Sequence, residues 1–211
     1  MFEAYLIEHG IPLPEHEPDL GVGKRPDYLV EIAGYRCLCE VKEFARGTNS
    51  LPGDSQSWDG QTRHKPIRTQ VHLGARQLRA ATQLGFPLVV VLTNPHRASV
   101  LLDDGDDVIP AIEGDLVIRV PRNGSGAAIK SVGLNGELRN DHRYLTAVVV
   151  LHEHLIPRGG HRFYARAFIP SAPDAVRLPD VFFRGPYDRV LEYSFERQRY
   201  ISAHEPLALG V

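Results

Sequence analysis

The chain has 211 residues, of which 43% are hydrophobic and 24% are charged, and its formal net charge at pH 7 is −2. This composition supports one sizeable core, or one core with an appendage, and excludes a protein that coats nucleic acid through an overall basic surface. No apolar run approaches the length of a membrane span and no basic-then-apolar signal pattern begins the chain, so we expect a soluble, cytoplasmic protein that does not engage membranes.

A short helix is the first predicted element, from Phe2 to Gly10. Phe2 and Leu6 recur at the spacing of one helical face, and Gly10 is a typical residue at a helix C-terminus. Two glutamates, Glu3 and Glu8, lie on this helix. Each of them is either a solvated carboxylate of the helix surface or a functional group.

A β-hairpin is predicted next, in residues 24–44. Asp27 lies at the start of one apolar run, Glu40 and Lys42 lie at the end of the next, and Gly34 marks the turn between them. Since side chains alternate across a strand, Glu40 and Lys42 are expected to share one face of the sheet.

Both cysteines of the chain, Cys37 and Cys39, lie on the second strand of this hairpin and point to its other face. Two residues that point the same way along one strand are poorly placed to form a disulfide with each other. We expect them to be buried as small hydrophobic residues, consistent with a reducing compartment. A zinc site made with a distant histidine is the less favoured alternative.

The polar residues of the hairpin suggest a metal site with an adjacent cation. Hard divalent ions such as Mg²⁺ bind carboxylate oxygens and keep several water ligands, which Asp27 and Glu40 could accommodate. Lys42 would add a point charge next to a reacting water or oxyanion. The alternative is an exposed aspartate at a strand start and a surface Glu/Lys pair on an edge strand.

This pattern resembles the PD-(D/E)xK nuclease superfamily, which has the restriction-endonuclease-like fold. The resemblance implies that Asp27 and Glu40 bind Mg²⁺, with Mn²⁺ as a substitute, and that both are catalytic together with Lys42, which assists the attacking water or the phosphate. Many members also carry a glutamate on the first helix that reaches the metal. Glu3 matches that position better, and Glu8 is the alternative.

Residues 45–65 show no apolar periodicity and are predicted to form a long loop. The loop leaves directly from the strand of Lys42, so we expect it to lie over the site. Trp58 could stack on a base, and the basic residues from Arg63 to Arg79 could contact phosphates. The alternative is a surface insertion without a function.

A second helix is predicted from Pro66 to Leu84, with Pro66 in its first turn. Its apolar residues recur at spacings of three and four: Ile67, Val71, Ala75, Leu78 and Ala81. Helices at this place in the superfamily often carry a glutamine that faces the site. The resemblance assigns that catalytic position to Gln77 first and to Gln70 second; otherwise both belong to a polar helix face.

A continuous apolar run at 88–92 predicts a strand that is covered on both faces. The order of hairpin, helix and buried strand is that of the superfamily core. The acidic run from Asp103 to Asp107 is predicted to be a solvated turn that leads into an apolar pair, Val108 and Ile109, with a Ca²⁺ loop as the less favoured alternative.

The rest of the chain is β-rich, with predicted strands at Leu116–Val120, Ile129–Val132, Ala147–Leu151 and Phe163–Ile169. His152 and His154 could hold a metal from one strand face, but ordinary polar histidines are favoured. The predicted fold class is α/β: a restriction-endonuclease-like core with a mixed central sheet flanked by helices, and a β-rich C-terminal extension. We expect a single domain over 1–211, with the core in 1–115 and the β-rich part, 116–211, packed on it.

The expected function is that of a metal-dependent nuclease that hydrolyses phosphodiester bonds, with DNA favoured over RNA, through a site at Asp27, Glu40 and Lys42. A homodimer or a targeting protein partner would suit its weakly acidic surface. The alternative is a non-enzymatic nucleic-acid-binding or accessory module that keeps the nuclease fold.

Overall fold

The computed structural model describes residues 1–45, 60–96, 100, 102, 105–119, 129–134, 141–155, 161–170, 172, 174–194 and 199–203. This part of the chain is a mixed α/β structure with three α-helices: α1 Phe2–Glu8, α2 Gly60–Leu78 and α3 Gly105–Glu113. A 3₁₀ helix, Arg79–Leu84, continues α2. None of these helices has the length and apolar character needed to cross a membrane.

Ten strands are described, in chain order β1 Glu15–His16, β2 Tyr28–Ile32, β3 Tyr35–Glu43, β4 Leu88–Thr93, β5 Asp115–Arg119, β6 Ile129–Leu134, β7 Ala147–Leu155, β8 His161–Ile169, β9 Arg189–Ser194 and β10 Arg199–Ser202. Eight of them form one mixed sheet in the order β1-β2-β3-β4-β7-β8-β9-β10, and β5 pairs with β6 separately. Strands from both halves of the chain therefore share one sheet. Strands β3, β4 and β7 are mutually parallel, so their carboxyl ends meet at one edge.

The predicted hairpin is confirmed as β2 and β3. Ile32 pairs with Tyr35, so Ala33 and Gly34 alone form the turn. Both have positive φ, 51° and 80° respectively, as the type I′ turn of a two-residue hairpin requires. This turn fixes the register, and the register fixes which face of the sheet each side chain of β3 occupies.

Apolar side chains cover both faces of the sheet. On one face, α2 and α3 pack against alternate residues of the central strands: Leu38, Val90, Leu92, Val148 and Val150. On the other face, α1 and residues 178–183 pack against the intervening set: Cys37, Cys39, Val89, Val91, Ala147 and Val149. The prediction of buried, unpaired cysteines is confirmed, and β4 is buried along its whole length as expected.

The second helix begins earlier than the sequence suggested. Helix α2 starts at Gly60, so residues 60–65 are helical, whereas a loop was predicted there. Pro66 consequently lies in the helix interior, and the prediction that it occupies the first turn was wrong. Its missing N–H removes one helical hydrogen bond, a cost that the burial of Ile67 and Val71 in the following turns helps to offset. Trp58 and the rest of the expected loop, 46–59, lie outside the described residues.

The described part of the acidic run is helical, so the prediction of a turn was wrong there. Residues 105–113 form α3, in which Val108, Ala111 and Ile112 are buried at helical spacing. Asp107, expected in a solvated turn, is buried, and its carboxylate lies 3.2 Å from Nδ1 of His64 on α2. Asp103 and Asp104 lie outside the described residues.

The four predicted C-terminal strands are confirmed as β5, β6, β7 and β8, with β6, β7 and β8 longer than expected. The sequence did not indicate β1, β9 or β10. Most residues of β9 and β10 are half-buried, so their apolar alternation is incomplete and gives a weak strand signal.

Candidate active site

Glu40 and Lys42 form a close ion pair on the α2 face of the sheet. They lie near the carboxyl end of β3, and their spacing of two residues gives both side chains the same direction. Lys42 Nζ donates a hydrogen bond of 2.6 Å to Glu40 Oε1. The Glu40 side chain is fully buried, and that of Lys42 is 16% exposed. Only the lysine therefore has access to solvent.

Asp27 joins this pair because it directly precedes β2, whose first paired residue is Tyr28. Tyr28 pairs with Cys39, so Asp27 comes next to Glu40 when the register is extended by one residue. The backbone N–H of Val41 donates a hydrogen bond of 2.7 Å to Asp27 Oδ2. The carboxylate thus accepts the bond that a backbone carbonyl of a neighbouring strand would otherwise accept. The structure thus brings the three residues expected at the site together at the end of β3.

The electrostatics of Glu40 suit a cation. Burial raises the pKa of Glu40, and the charge of Asp27 adds to the increase. The hydrogen bond and charge of Lys42 and the backbone N–H of Asp27 lower it, but the pKa remains above its ordinary value. Glu40 Oε2 is buried and has no hydrogen-bond partner among the described residues. A buried carboxylate oxygen without a partner costs about 1–3 kcal/mol, so it requires an explanation such as an ion.

Gly74 lets α2 approach the site closely. A Cβ atom at this position would lie 2.9 Å from Val90 Cγ2 and 3.5 Å from Lys42 Cγ. The aliphatic part of Lys42 is therefore confined between the helix and the sheet. Sequence reasoning missed this residue, although a glycine inside an otherwise regular helical pattern often marks a close approach.

Gln77 and Gln70 flank Gly74 at the next and the preceding turn of α2, and both are half-buried. They lie on the same stripe of the helix as Gly74, which packs on the sheet. The hydrogen bonds that Glu40 and Lys42 make within the described residues involve neither glutamine.

Glu3 lies on the side of the sheet opposite to Glu40. Its Oε1 accepts a hydrogen bond of 2.9 Å from the Tyr28 hydroxyl, and α1 packs on the face that carries the cysteines. Burial and this bond raise the pKa of Tyr28 to about 12, and the charge of Asp27 adds to the shift. Among the described residues no three His, Cys, Asp or Glu side chains form a metal-binding group, so the site proper holds two carboxylates, Asp27 and Glu40.

Glu8, the alternative on this helix, has a packing role. Its Oε2 accepts a hydrogen bond of 2.8 Å from the backbone N–H of Phe163, which connects α1 to β8.

The basic residues of α2 do not form one surface. Arg68 donates a hydrogen bond of 3.2 Å to the carbonyl of Pro110 on α3. Arg76 and Arg79 are exposed and lie near Tyr144, before the start of β7 and so at the opposite edge of the sheet from Lys42. The expectation that this segment contacts phosphates therefore applies at most to part of it.

Comparison of the chain with known protein families, with curated proteins and with solved structures gives no match. The fold and the site define the class of protein: a mixed α/β protein with a buried Glu/Lys pair and an aspartate at the carboxyl ends of parallel strands. In open α/β sheets this edge is where ligands bind.

Proposed function

We propose that the protein is a metal-dependent nuclease that hydrolyses phosphodiester bonds at the Asp27, Glu40 and Lys42 site. The observation that carries the proposal is the environment of Glu40. A fully buried carboxylate lies beside a second carboxylate and a lysine, and one of its oxygens has no partner among the described residues. The residue types and their order match the motif of the PD-(D/E)xK superfamily.

The donor set fits Mg²⁺, because two hard carboxylates suffice for an ion that keeps several waters. Glu40 Oε2 and the Asp27 carboxylate would hold it. Bound Mg²⁺ would supply an activated water and neutralise charge on the scissile phosphate. Apposed carboxylates repel each other without a cation, which gives the folded state a reason to bind one.

Lys42 contributes a fixed positive charge. Its ammonium is held by Glu40 Oε1, and Gly74 confines the aliphatic part of the side chain. A group held in this way needs little reorganisation when charge develops on a phosphate oxygen, and such preorganised groups stabilise transition states most effectively.

Mg²⁺ should stabilise the folded protein through Asp27. Binding to the native state alone raises the free energy of unfolding by about 2.7 kcal/mol at an ion concentration of 100 Kd. Thermal melts with and without Mg²⁺ or Mn²⁺ measure this effect in the wild type and in Asp27→Asn, which keeps an oxygen for the Val41 N–H. We expect the variant to lose most of the ion-induced shift.

Asp19→Asn is the matched control, since Asp19 is exposed and pairs with Arg25 at the surface. Its ion-induced shift should equal that of the wild type. If Asp27→Asn keeps the full shift, the ion binds elsewhere.

The ion effect should also depend on pH through Glu40. Folding raises the pKa of Glu40. At pH values just above about 4.3, the unfolded chain has therefore lost the Glu40 proton, whereas the folded protein still holds it. The free energy of unfolding of the ion-free protein therefore falls as pH rises from there through the pKa of Glu40 in the folded state. Mg²⁺ replaces that proton, so its stabilising effect should grow over the same window.

Melting temperatures between about pH 4 and about pH 8 check this, with Glu40→Gln as the comparison. The variant should lose both the pH dependence from this group and the ion effect. Equal ion-induced shifts of the wild type at every pH would show that the ion does not compete with a proton at Glu40.

Activity is tested directly by incubating the purified protein with plasmid, linear DNA and RNA, each with Mg²⁺, Mn²⁺ or EDTA. Cleavage that EDTA abolishes is the expected result. No cleavage of any of these substrates would favour the non-enzymatic accessory module instead.

A further inference from the structure

A cavity of about 600 Å³ lies on the face of the sheet that α1 covers. It is formed where β8 begins before β9, because the first residue of β9, Arg189, pairs with Arg166. Among the described strands, none pairs with residues 162–165 on that edge of β8, and α1 and the segment 181–187 lie there instead. The volume is within the range of about 300–1,000 Å³ that is typical of small-molecule sites.

Carboxylates accept the backbone N–H groups of this strand edge. Glu8 Oε2 accepts a hydrogen bond of 2.8 Å from the Phe163 N–H, and Asp188 Oδ1 accepts one of 2.7 Å from the Ala165 N–H. Because these donors are satisfied, the edge offers them to no additional polypeptide strand. What the cavity binds is therefore decided by the side chains that line it.

A tight turn makes one wall of the cavity rigid. The Asp188 N–H donates a hydrogen bond of 3.0 Å to the Gly185 carbonyl, and the Gly185 N–H donates one of 2.7 Å to Asp188 Oδ2. A Cβ atom on Gly185 would collide with the His9 ring, so the turn and α1 are in direct contact. The turn therefore holds Tyr187 beside the cavity without the help of a ligand.

Phe183 contributes an apolar wall from a strained backbone. Its φ is 55°, a left-handed conformation that bulky residues rarely adopt, and its side chain is buried. Strained residues of this kind are concentrated at functional sites, where the surrounding structure holds them in place. The rest of the apolar lining comes from Ile11, Ile32, Phe163 and Val181.

Two exposed side chains of opposite charge, Glu8 and Arg162, line the same cavity. Within the described residues they form no ion pair with each other or with any other group. The Arg162 guanidinium lies 5.4 Å from the centre of the Tyr187 ring. Glu8 uses one oxygen for the Phe163 N–H, which leaves its other oxygen for a ligand. The cavity thus offers one cation and one carboxylate oxygen.

The other charged groups at the cavity already have partners. Arg184 donates a hydrogen bond to the Asp180 carbonyl, and its guanidinium lies 3.9 Å from the Asp180 carboxylate. Asp188 is fully buried and accepts three hydrogen bonds. His9 Nδ1 donates a hydrogen bond of 2.8 Å to the Tyr5 carbonyl, and its Nε2 lies 3.8 Å from Asp188 Oδ2. The charges of a ligand must therefore complement Glu8 and Arg162.

We propose that this cavity binds a small zwitterion with an apolar group, that is, an apolar amino acid or a short peptide. The ligand carboxylate would bind the Arg162 guanidinium, its ammonium would bind the free oxygen of Glu8, and its side chain would contact the apolar lining. Charge-assisted hydrogen bonds of both signs select against molecules that carry only one of the two charges. The inference goes beyond the proposed nuclease function, because the candidate active site lies on the opposite face of the sheet.

The test is an amide NMR titration of the isotope-labelled full chain with phenylalanine and with the dipeptide alanylphenylalanine, in EDTA so that metal ions are sequestered. We expect the amides at the cavity to shift, Phe163 and Gly185 among them, with a Kd of about 1 mM or below for the better ligand. The tighter of the two shows whether the site suits an amino acid or a peptide. No binding of either at about 10 mM, or shifts confined to other regions, would reject the proposal.

Ligands that lack one charge test the zwitterion. The better ligand is compared with its decarboxylated amine and its deaminated acid, which for phenylalanine are phenethylamine and phenylpropionate. Each should bind at least roughly tenfold more weakly, because one charge-assisted hydrogen bond is lost. If either analogue binds as tightly as the zwitterion, the assignment of the ligand class is wrong.

Two conservative variants assign each ligand charge to a residue. Arg162→Met keeps a contact for Tyr187 and removes the cation, so it should weaken the zwitterion and the acid about tenfold and leave the amine unchanged. Glu8→Gln keeps an oxygen for the Phe163 N–H, and it should weaken the zwitterion and the amine by a similar factor and leave the acid unchanged. If both variants bind the zwitterion as tightly as the wild type, the ligand lies elsewhere and the proposal fails.

The matched controls make the same changes at an exposed ion pair. Arg36→Met and Glu31→Gln alter a surface pair on the opposite face of the hairpin from the cavity, and neither should affect any of the ligands. Losses in these controls equal to those of Arg162→Met and Glu8→Gln would indicate an effect of net charge and reject the cavity as the site.

Discussion

Lys42→Ala is expected to cleave nucleic acid about 10²–10³-fold more slowly than the wild type in single turnover, because it loses one preorganised charge at the reacting phosphate. Binding should weaken far less, because the lost interaction forms mainly in the transition state. Saturating Mn²⁺ is used because the loss of Lys42 removes the hydrogen bond that lowers the pKa of Glu40. Affinity is measured in Ca²⁺ alongside the rate.

Two further variants make this result specific. Arg177→Ala removes an exposed arginine near the start of β7, at the opposite edge of the sheet from Lys42, and should leave the rate unchanged. Glu40→Ala should lose both metal affinity and cleavage, unlike Lys42→Ala. If Lys42→Ala cleaves as fast as the wild type, Lys42 is not a catalytic residue.

The largest expected effect on stability comes from Asp188, whose side chain is fully buried. Its Oδ2 accepts hydrogen bonds from the Tyr5 hydroxyl at 2.6 Å and from the Gly185 N–H at 2.7 Å, and its Oδ1 accepts one from the Ala165 N–H at 2.7 Å. Asp188→Ala leaves two buried donors and one half-buried donor without an acceptor and should lower the free energy of unfolding by about 3–5 kcal/mol.

Urea unfolding measures this effect from the transition midpoint, provided that the m-value stays constant. Tyr5→Phe removes one of the three donors and should cost about 1–2 kcal/mol. Asp174→Ala serves as the control, because Asp174 is 61% exposed and pairs with Arg143 at the surface. A loss for Asp188→Ala no larger than that of the control would show that the buried network contributes nothing to stability.

Local patterns were sufficient to predict much of the sheet. The alternation of β3 and the glycine at position 34 fixed the hairpin and placed Glu40 and Lys42 on one face. The continuous apolar run of β4 indicated its burial.

Other features depend on contacts that no local pattern encodes. Asp188 bonds to Tyr5 across 183 residues, and nothing near either residue indicates the partner. The hydrogen bond between Tyr28 and Glu3 likewise depends on how α1 docks on the sheet. Helix α2 begins six residues before Pro66, because tertiary packing of the following turns outweighs the proline signal.

The order of strands in the sheet has a consequence for how the chain folds. Strand β4 lies between β3 and β7, and Leu88 bonds to Thr146 across 58 residues. Parallel pairing over such distances is slow, because the entropy of closing the loop is lost before the contacts form. During synthesis, Tyr5 of α1 cannot bond to Asp188 until the 183rd residue after it has been made. The docking of α1 on the sheet is therefore completed only after β8 and the segment that carries Asp188 have been made.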